Sequence, residues 1–372
     1  MEWALLRLPG EPDRGECMRI ETIHPSELGA AEAALWRAHQ RADPTLSSPY
    51  LSPVWAQLVG AARPDARVCV LEGGKGFLGV QRNSRFTAMG LGAPIADYQG
   101  LVGEAGLDVD VASVCKVLKV GRIDLAGVPA GQSLLADAAA GSDGSWIAEV
   151  SAGAEAYRAQ LRKQRSKFVR QTDNRMCKLG EAHGALAFAA KSAERGHFDT
   201  LIAWKLAQLR AAGQPAIWAK PWVRQVVEAT YAARDPNFSC ALFTLSAGNR
   251  LAAASYALCS ERVVHVWMIG HDEALDAFSP GIILARWLIE WAAGQGLAEV
   301  DFGVGDYQFK RHLCTAQRPL EWGAATRPSW SGALRRAQIG LRSRIEALPQ
   351  KKLAALPGKA MRRLDLMRAL AA

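Results

Sequence analysis

One order of predicted secondary structure occurs twice in this chain, and the repeat limits the fold more than any other feature. The first half has a hairpin pattern in ARVCVLEGGKGFLGVQR, Gly-rich connections, a helix over 108–120 and a strand in GRIDLAGVPAG. The second half has three strands in CALFTLSAGNRLAAASYALCSERVVHVWMIGHD, a helix in SPGIILARWLIEWAAGQG and a strand in AEVDFGVGD. The match is closest between residues 122–127 and 299–303. This shared order predicts an α/β fold of two related units with mixed sheets flanked by helices.

Helices are also predicted outside the repeat. Helical apolar spacing after an N-cap serine predicts one over 26–42, and another opens after the prolines of SSPYLSP. Between the two units, residues 158–178 form a basic helix and residues 197–233 a helical stretch. The basic helix has one apolar stripe, which predicts that it docks while its basic side chains point to a groove or solvent. The stripe consists of Leu161, Phe168, Val169, Met176 and Leu179.

The length of 372 residues exceeds what one core usually organises, so two domains and an extra segment are expected. We place the units at 1–150 and 151–327, and a basic tail at 328–372. With 49% hydrophobic and 22% charged residues, the composition excludes wholesale disorder, collagen and a coiled-coil rod. The longest uncharged stretch, 44–62, contains three prolines and is not expected to span a membrane. The start, MEWALLRLPGEPDRGE, has no export signal, which predicts a cytoplasmic location.

The positive charge is concentrated in two segments. Ten Lys or Arg and two acids give the tail +8 of the net +9, and eight basic residues and one acid give residues 158–178 +7, so the remainder carries −6. This segregation favours an anionic small-molecule site or an acidic partner over a DNA-binding surface. A solvated helix face and a disordered tail are the alternative. The tail is weakly amphipathic and could contact the inner membrane surface, another protein or its own body.

The cysteines indicate neither a disulfide framework nor a zinc site. Their number is odd, they are widely scattered, and no CxxC pair or nearby histidine has metal-ligand spacing. We expect them to be reduced and mostly buried, and we expect no metal. They are Cys17, Cys69, Cys115, Cys177, Cys240, Cys259 and Cys314.

Ser279-Pro280-Gly281 predicts the start of a helix, because Ser is a good N-cap and Pro is preferred at the first helical position. The bare amino terminus of that helix, with Ser279, Gly281 and Ile282, is a candidate anion site for a cofactor phosphate. An ordinary capped helix without a ligand is the alternative.

A second dense group of polar residues lies in DFGVGDYQFKR, directly after a strand. Asp306 or Asp301 is the predicted proton acceptor and Tyr307 the predicted acid, since acid-base groups are needed where an α/β sheet opens. Lys310 and Arg311 are predicted to hold a phosphate. Structural roles, a cap for Asp301 and a turn for Asp306, are the alternatives.

Further candidates come from other segments. His265 is the runner-up base because its ordinary pKa is near neutral, and Trp267 shares its strand face. Arg162, Arg165 and Arg170 are predicted to bind an anionic substrate from the opposite wall, and Tyr50 to shape the acceptor pocket together with Trp55 and Tyr98. Core packing is the alternative for these histidine and aromatic side chains.

Three of these segments together resemble a known family. The helix LRKQRSKFVRQTDNRMCKLGE, the passage FSPGIILARWLIEWAAGQGL and the closing VDFGVGDYQFKRHL are similar to the BioF2-like acetyltransferase domain of CelD/BcsL proteins. That domain is a branch of the GNAT superfamily related to the FemAB aminoacyltransferases. The resemblance covers about 154–322. It implies tandem GNAT-like units and transfer of an acetyl group from acetyl-CoA to an amine or hydroxyl, by direct attack.

The acceptor that the resemblance implies is a sugar or cell-envelope polysaccharide precursor, carried on a nucleotide or a lipid. One departure leaves the donor open: the pyrophosphate loop of the wider superfamily, Gln or Arg followed by x-x-Gly-x-Gly or Ala, is absent ahead of Ser279. A Fem-like transferase that uses aminoacyl-tRNA is therefore an alternative. A non-catalytic scaffold of polysaccharide assembly, held at the membrane by the basic tail, is another.

Overall fold

The computed structural model describes residues 18–347 and 351–371, and one mixed sheet dominates them. Its strands are β1 (Ile20–Ile23), β2 (Ala66–Leu71), β3 (Gly76–Arg82), β4 (Thr87–Gly90), β5 (Leu101–Gly103), β6 (Arg122–Pro129), β7 (Ala139–Glu149), β8 (Leu186–Ala189), β9 (Ser239–Ala247), β10 (Arg250–Cys259), β11 (Val263–His271), β12 (Glu299–Asp301) and β13 (Ala316–Thr326). The helices are α1 (Ala30–Ala42), α2 (Pro53–Ala62), α3 (Val111–Val117), α4 (Ala154–His183), α5 (Arg195–Ala211), α6 (Pro221–Ala232), α7 (Pro280–Gly294), α8 (Gln308–Leu313), α9 (Trp330–Glu346) and α10 (Lys351–Ala371).

The two halves share the sheet by exchanging their closing strands. The strand order is β1-β2-β3-β4-β6-β13-β7-β12-β11-β10-β9-β8, and β5 pairs with β3. Strand β13 from the second half therefore lies beside β6 of the first half, and β7 from the first half lies beside β12 of the second. The α/β fold predicted from the repeat is confirmed. The sheet runs across the proposed boundary at residue 150 without a break.

The repeat extends to the strand register. In the first half, β4 and β6 are parallel and Met89 lies opposite Asp124. In the second half, β11 and β12 are parallel and His265 lies opposite Asp301. The two aspartates of the matched sequence segments thus occupy equivalent positions, each on the strand that follows a helix.

Helices cover both faces of the sheet. One apolar cluster joins α1 and α2 to α5 and α6, and it includes Trp55, Phe198 and Tyr256. On the other face α3 covers the first half, and α4 and α7 cover the second. The docking predicted for the basic helix is observed, since Leu161 and Leu179 of α4 are buried.

Two predicted details differ. The first helix begins at Ala30 rather than near Ser26, because residues Pro25–Glu27 form a separate short turn capped by His24. The six cysteines that the structure describes form no disulfide, and three of them are buried while Cys177 is exposed. Cys17 and the start of the chain lie outside the described residues.

The basic tail forms two helices that dock on the first half. Arg335 of α9 is 5% exposed, and its guanidinium lies 3.0 Å from Asp124 and 2.7 Å from Asp365 of α10. Arg122 also pairs with Asp124, at 2.9 Å. Burial raises the pKa of Asp124, while Arg335 and Arg122 oppose that rise. Within the described residues, none of the helices is both long and apolar enough to cross a bilayer.

Replacing Arg335 by leucine is expected to lower the free energy of unfolding by about 3 kcal/mol, because it leaves the buried Asp124 carboxylate without one of its two partners. Urea unfolding at neutral pH measures the change. The neighbouring Arg336 is exposed, so Arg336→Leu is the matched control and should change stability by less than about 0.5 kcal/mol. Equal effects of the two variants would contradict a stabilising role for the Arg335 pairs.

Candidate functional site

A cavity opens where strands β11 and β12 separate. The two strands pair only between Val263 and His265 on β11 and between Glu299 and Asp301 on β12, and β11 then continues to His271. The chain after Asp301 instead bonds to the neighbouring strand, where Phe302 N–H donates to the Trp146 carbonyl. The cavity has a volume of about 580 Å³. An α/β sheet that opens at strand ends is a common ligand position.

The structure brings the two main predicted segments to this cavity. Ser279, Gly281 and Ile282 line it from the start of α7, and Phe302, Val304, Tyr307, Phe309 and Lys310 line it from the turn after β12. Ser279 has a left-handed backbone, with φ 51° and ψ 55°, and its side chain makes no capping hydrogen bond. The predicted serine cap is therefore absent, although Pro280 does begin the helix.

Lys310 is placed differently from the prediction. Its side chain is 4% exposed, and Nζ donates to the carbonyls of Phe302, Gly303 and Val304 at 2.7, 3.1 and 2.8 Å. Burial lowers the pKa of the Lys310 ammonium group. Because all three donor positions are used by the turn, Lys310 stabilises that turn and has no proton left to bind a phosphate.

Asp306 and Arg311, the predicted base and phosphate ligand, bind each other on the surface. Arg311 Nε donates to Asp306 Oδ1 at 2.6 Å, and the second nitrogen of the guanidinium contacts Oδ2. The hydrogen bond from Arg311 lowers the pKa of Asp306. Neither residue lines the cavity. The geometry thus removes both from the reacting groups, because a base must reach the proton that it accepts.

The arginines of α4 do not reach the cavity either. Arg162, Arg165 and Arg170 are exposed, and none of them lines it. Arg165 marks a kink in α4, with φ −136° and ψ 37°. The helix packs through its apolar stripe, so the basic side chains point to solvent rather than across the cavity.

Sequence reasoning missed the carboxylate at the cavity, which belongs to Asp97 of the first half. Asp97 lines the cavity with 33% of its side chain exposed. Two glycines with left-handed backbones, Gly127 and Gly303, make room for it. A Cβ at Gly303 would lie 2.6 Å from Asp97 Oδ2, and a Cβ at Gly127 would lie 2.0 Å from the Asp97 carbonyl oxygen. These two glycines end the two matched sequence segments. At each position a side chain would collide with Asp97, so only glycine fits against the loop that contains Asp97.

His265 lies between Asp97 and a second carboxylate. It is fully buried, Nε2 is 2.8 Å from Asp97 Oδ2, and Nδ1 is 3.6 Å from Asp301 Oδ2. Burial alone would lower the pKa of His265, but Asp301 and Asp97 outweigh it and raise the pKa to about 9. The imidazole is thus protonated at neutral pH, and His265 acts here as a hydrogen-bond donor rather than a base.

Asp301 lies on the side of His265 opposite Asp97. It is fully buried and accepts hydrogen bonds from Tyr98 Oη at 2.5 Å, Ser145 Oγ at 2.6 Å and Gly303 N–H at 2.7 Å. Burial would raise the pKa of Asp301, but the His265 charge and these donors hold it well below its usual range. A carboxylate so fully engaged is a poor proton acceptor. Asp301 therefore orients His265, which agrees with the structural alternative for this residue.

The aromatic candidates divide between the cavity and the core behind it. Trp267 and Tyr307 line the cavity, and Trp267 Nε1 donates to the Ile95 carbonyl at 2.9 Å. Tyr50 does not line it. The Tyr50 ring instead packs edge-on against His265 at 4.9 Å and is 4% exposed. Tyr98 is also buried and bonded to Asp301, so both tyrosines support the charged group and do not contact a substrate.

Helix α5 adds a further wall that the sequence did not indicate. Lys205 and Gln208 line the cavity, and Lys205 Nζ donates to Gln208 at 3.1 Å. Asp276, which lies near the start of α7, also lines it and is 2.5 Å from His271 Nε2. The charged groups around the cavity are therefore of both signs. Among the described residues, no group of His, Cys, Asp or Glu is placed to hold a metal ion.

Comparison with known proteins finds a similarity over the part of the chain that contains most of this cavity. Residues 158–311 match the family model of the GNAT acetyltransferase domain. This matched part includes β11, α7 and β12, so the splayed strands lie within the part of the chain that is similar to that domain. Among curated proteins, none matches this chain in sequence.

Solved structures agree on the fold over most of the chain. A domain assigned as the C-terminal domain (DUF2156) of a lysylphosphatidylglycerol synthetase from Agrobacterium fabrum has a TM-score of 0.51 at 10% identity, over 83% of this chain and 95% of that one. A protein of unknown function from Bacteroides thetaiotaomicron has a TM-score of 0.53 at 9% identity, over 84% and 100%. FemX has a TM-score of 0.50 at 11% identity, over 82% and 96%. At such identities the likeness concerns the fold alone.

The stability of the protein is expected to fall as the pH rises through about 9, because His265 loses there the proton that its two carboxylates stabilise. The raised pKa of His265 contributes stability that is complete below its ordinary value of 6.5 and is lost by deprotonation, on the order of 3 kcal/mol in all. Urea unfolding between pH 6 and pH 10 measures it. His265→Gln removes the titrating group, so its stability should change less over that range. An imidazole that NMR shows to be neutral at pH 7.5 would contradict the assignment.

Proposed function

We propose that this protein transfers an acyl group directly from its donor to an amine or hydroxyl acceptor, with the Asp97 carboxylate as the general base. The observation that carries the proposal is the position of Asp97, partly exposed to the cavity between the splayed strands and fixed by the buried His265. Direct transfer needs a positioned carbonyl, a base and donors for the oxyanion. A covalent enzyme intermediate is not needed.

In the proposed step, the acceptor nitrogen or oxygen forms a bond to the acyl carbonyl carbon while Asp97 takes its proton. The bond from that carbon to the leaving group then breaks, and the leaving group takes a proton. Tyr307 lines the cavity, and we assign it as the acid that supplies this proton. Strand β11 continues past its last pair with β12 while it stays paired with β10 on its other edge. We assign the peptide N–H groups over 266–271 that point away from β10 as the donors to the carbonyl oxygen.

The surrounding groups position the base. His265 donates to Asp97 and, being protonated, leaves proton acceptance to that carboxylate. Asp301 orients His265, and Tyr98 and Ser145 hold Asp301. An amine acceptor attacks in its neutral form, because a protonated amine has no lone pair with which to form the new bond.

For the donor we propose acetyl-CoA or another acyl-CoA, which the GNAT domain match supports in general terms. For the acceptor we propose a sugar of a cell-envelope polysaccharide precursor, linked to a nucleotide or a lipid, as in the CelD/BcsL type. This part rests on the sequence resemblance. With such an acceptor, we propose that the protein works at the cytoplasmic side of the inner membrane.

A Fem-like aminoacyl-tRNA transferase is the second candidate, and specific observations favour it. The usual pyrophosphate loop is absent ahead of α7, and the carboxylate of Asp276 lines the cavity near the helix start. A carboxylate there opposes a diphosphate. FemX has the same overall fold.

Replacing Asp97 by asparagine is expected to lower the rate constant of acyl transfer by a factor of about 10² to 10⁴, because the amide keeps the shape of the carboxylate but does not accept the proton. The measurement is product formation at saturating donor with a panel of amines and aminosugars. Donor binding, followed by calorimetry, should be nearly unchanged.

Asp306→Asn is the matched control for this experiment. It makes the same chemical change at an aspartate of the turn after β12 that does not line the cavity, and the rate should stay near that of the wild type. A wild-type rate for Asp97→Asn, or an equal loss in both variants, would remove Asp97 from the reaction.

The donor is decided by binding. Calorimetric titration with acetyl-CoA should saturate and show little dependence on salt, whereas a tRNA-dependent enzyme should bind charged tRNA with a steep salt dependence. Replacing Arg162, Arg165 and Arg170 together by serine separates the cases further, because these exposed cations could contact tRNA but do not line the cavity. The acyl-CoA proposal predicts no change in acetyl-CoA affinity for that variant. A protein that binds neither donor would support the scaffold.

A further inference from the structure

The arginines of the tail helices differ in their surroundings, because some face the protein and others face outward. Arg335 pairs with Asp124 and Asp365 on the side of α9 that packs against the protein, and Arg342 pairs with Glu346 at 2.7 Å and lies over the Trp322 ring. Arg344 on the outer side is exposed, and Arg336 is exposed too but lies nearer the protein, where it donates to Thr326 Oγ1 at 2.5 Å. Neither of these two forms an ion pair with a carboxylate of the described residues. The inward charges are thus neutralised by the protein, and the outward charges are available to something else.

Large apolar side chains stand on the same outer side of α9. Trp330, Leu334 and Leu341 are 64%, 47% and 59% exposed. Their spacing of four and seven residues places them on one helix face, since a helix has 3.6 residues per turn. The Trp330 ring also contacts Phe86 edge-on at 5.4 Å, and Phe86 is itself exposed and lies beneath the Arg85 guanidinium. Isolated exposed apolar residues are common, but a continuous row of them indicates a contact surface.

We propose that this surface docks the protein on an anionic lipid bilayer. We define the tail face as Phe86, Trp330, Leu334 and Leu341 together with Arg85 and Arg344. In the bound state the apolar side chains enter the boundary between headgroups and acyl chains, while the arginines contact lipid phosphates. Trp is well suited to that boundary because its ring is amphipathic. The inference concerns attachment only and does not depend on the proposed acyl transfer.

Charge and apolarity together select a bilayer as the occupant. The tail face contains arginines and no carboxylate, which matches an anionic surface and disfavours a second copy of the same face. A nucleic acid would satisfy the arginines through its phosphates but would leave Trp330, Leu334 and Leu341 in water. No helix of the described residues can span a membrane, so the attachment is peripheral.

The tail face is connected to the loop that contains Asp97. Helix α10 packs on the first half through Ala369, which contacts Met89 and Ala93, and Ala93 lies in the loop that leads to Asp97. The pairs of Arg335 fix α9 and α10 relative to β6. A bilayer bound at the tail face would therefore be held in a fixed orientation to the cavity.

Co-sedimentation of the full chain with phosphatidylcholine vesicles, with and without phosphatidylglycerol, tests the proposal. We expect binding only to the anionic vesicles. Leu334→Ser/Leu341→Ser keeps every charge and should weaken binding about tenfold or more, because apolar burial is lost. Arg85→Ser/Arg344→Ser keeps the apolar row and should weaken vesicle binding by a factor of about five for each arginine.

Matched controls test whether vesicle binding requires the tail face or only exposed apolar and basic side chains anywhere on the protein. Leu35 is 45% exposed on α1, and Lys178 is exposed on α4, so Leu35→Ser and Lys178→Ser make the same changes outside the tail face and should bind like the wild type. Urea unfolding checks that every variant is folded. Trp330 gives a direct readout, since brominated lipids should quench wild-type fluorescence more than that of Trp330→Phe.

Three results would overturn the proposal. The first is that the wild type does not bind anionic vesicles, and the second is that it binds vesicles of phosphatidylcholine alone equally well. The third is that the variant with both leucines replaced keeps full affinity for vesicles. In the last case, competition by tRNA would identify the arginines as part of a nucleic-acid surface.

Discussion

A buried imidazolium between two carboxylates connects the two halves of this protein. Asp97 comes from the first half, whereas His265 and Asp301 lie on adjacent strands of the second. Buried charges are tolerated only when they are paired and hydrogen-bonded, and here Tyr98, Ser145 and the Gly303 N–H complete the partners of Asp301. The loop that presents Asp97 therefore takes its position from the second half, and the cavity exists only when both halves are joined.

The exchange of closing strands makes that connection possible. Ser145 lies on β7, which crosses from the first half to pair with β12, and Arg318 lies on β13, which crosses the other way. The same arrangement lets equivalent aspartates diverge. Asp301 faces His265 and supports a cavity, whereas Asp124 faces Met89 and binds Arg335 of the tail. The two equivalent strands thus have different roles: β12 supports the candidate active site in one half, and β6 binds the C-terminal helices in the other.

Much of the fold could be predicted because periodicity and turn residues are local. The hairpin, the helix beginning at Pro280 and the strand ending at Asp301 were all visible in the sequence. Strands β7 and β13 were not, because they contain Gly, Asp, Pro and Arg and are held by hydrogen bonds to neighbouring strands that are distant in the sequence rather than marked by an apolar pattern of their own. The positions of the Lys310, Asp306 and Arg311 side chains differ from those expected for a related reason: a sequence does not tell in which direction a side chain points.

By itself, the sequence determined two α/β units, a helix start and a glycine turn that face a common opening, and a tail whose charge is strongly positive. Only the tertiary structure decided which carboxylate lies at that opening, because Asp97 and His265 are 168 residues apart and neither has a local partner that reveals the pair. It also decided which arginines of the tail are neutralised and which face outward. Both outcomes depend on contacts between distant segments, and local spacing contains no record of such contacts.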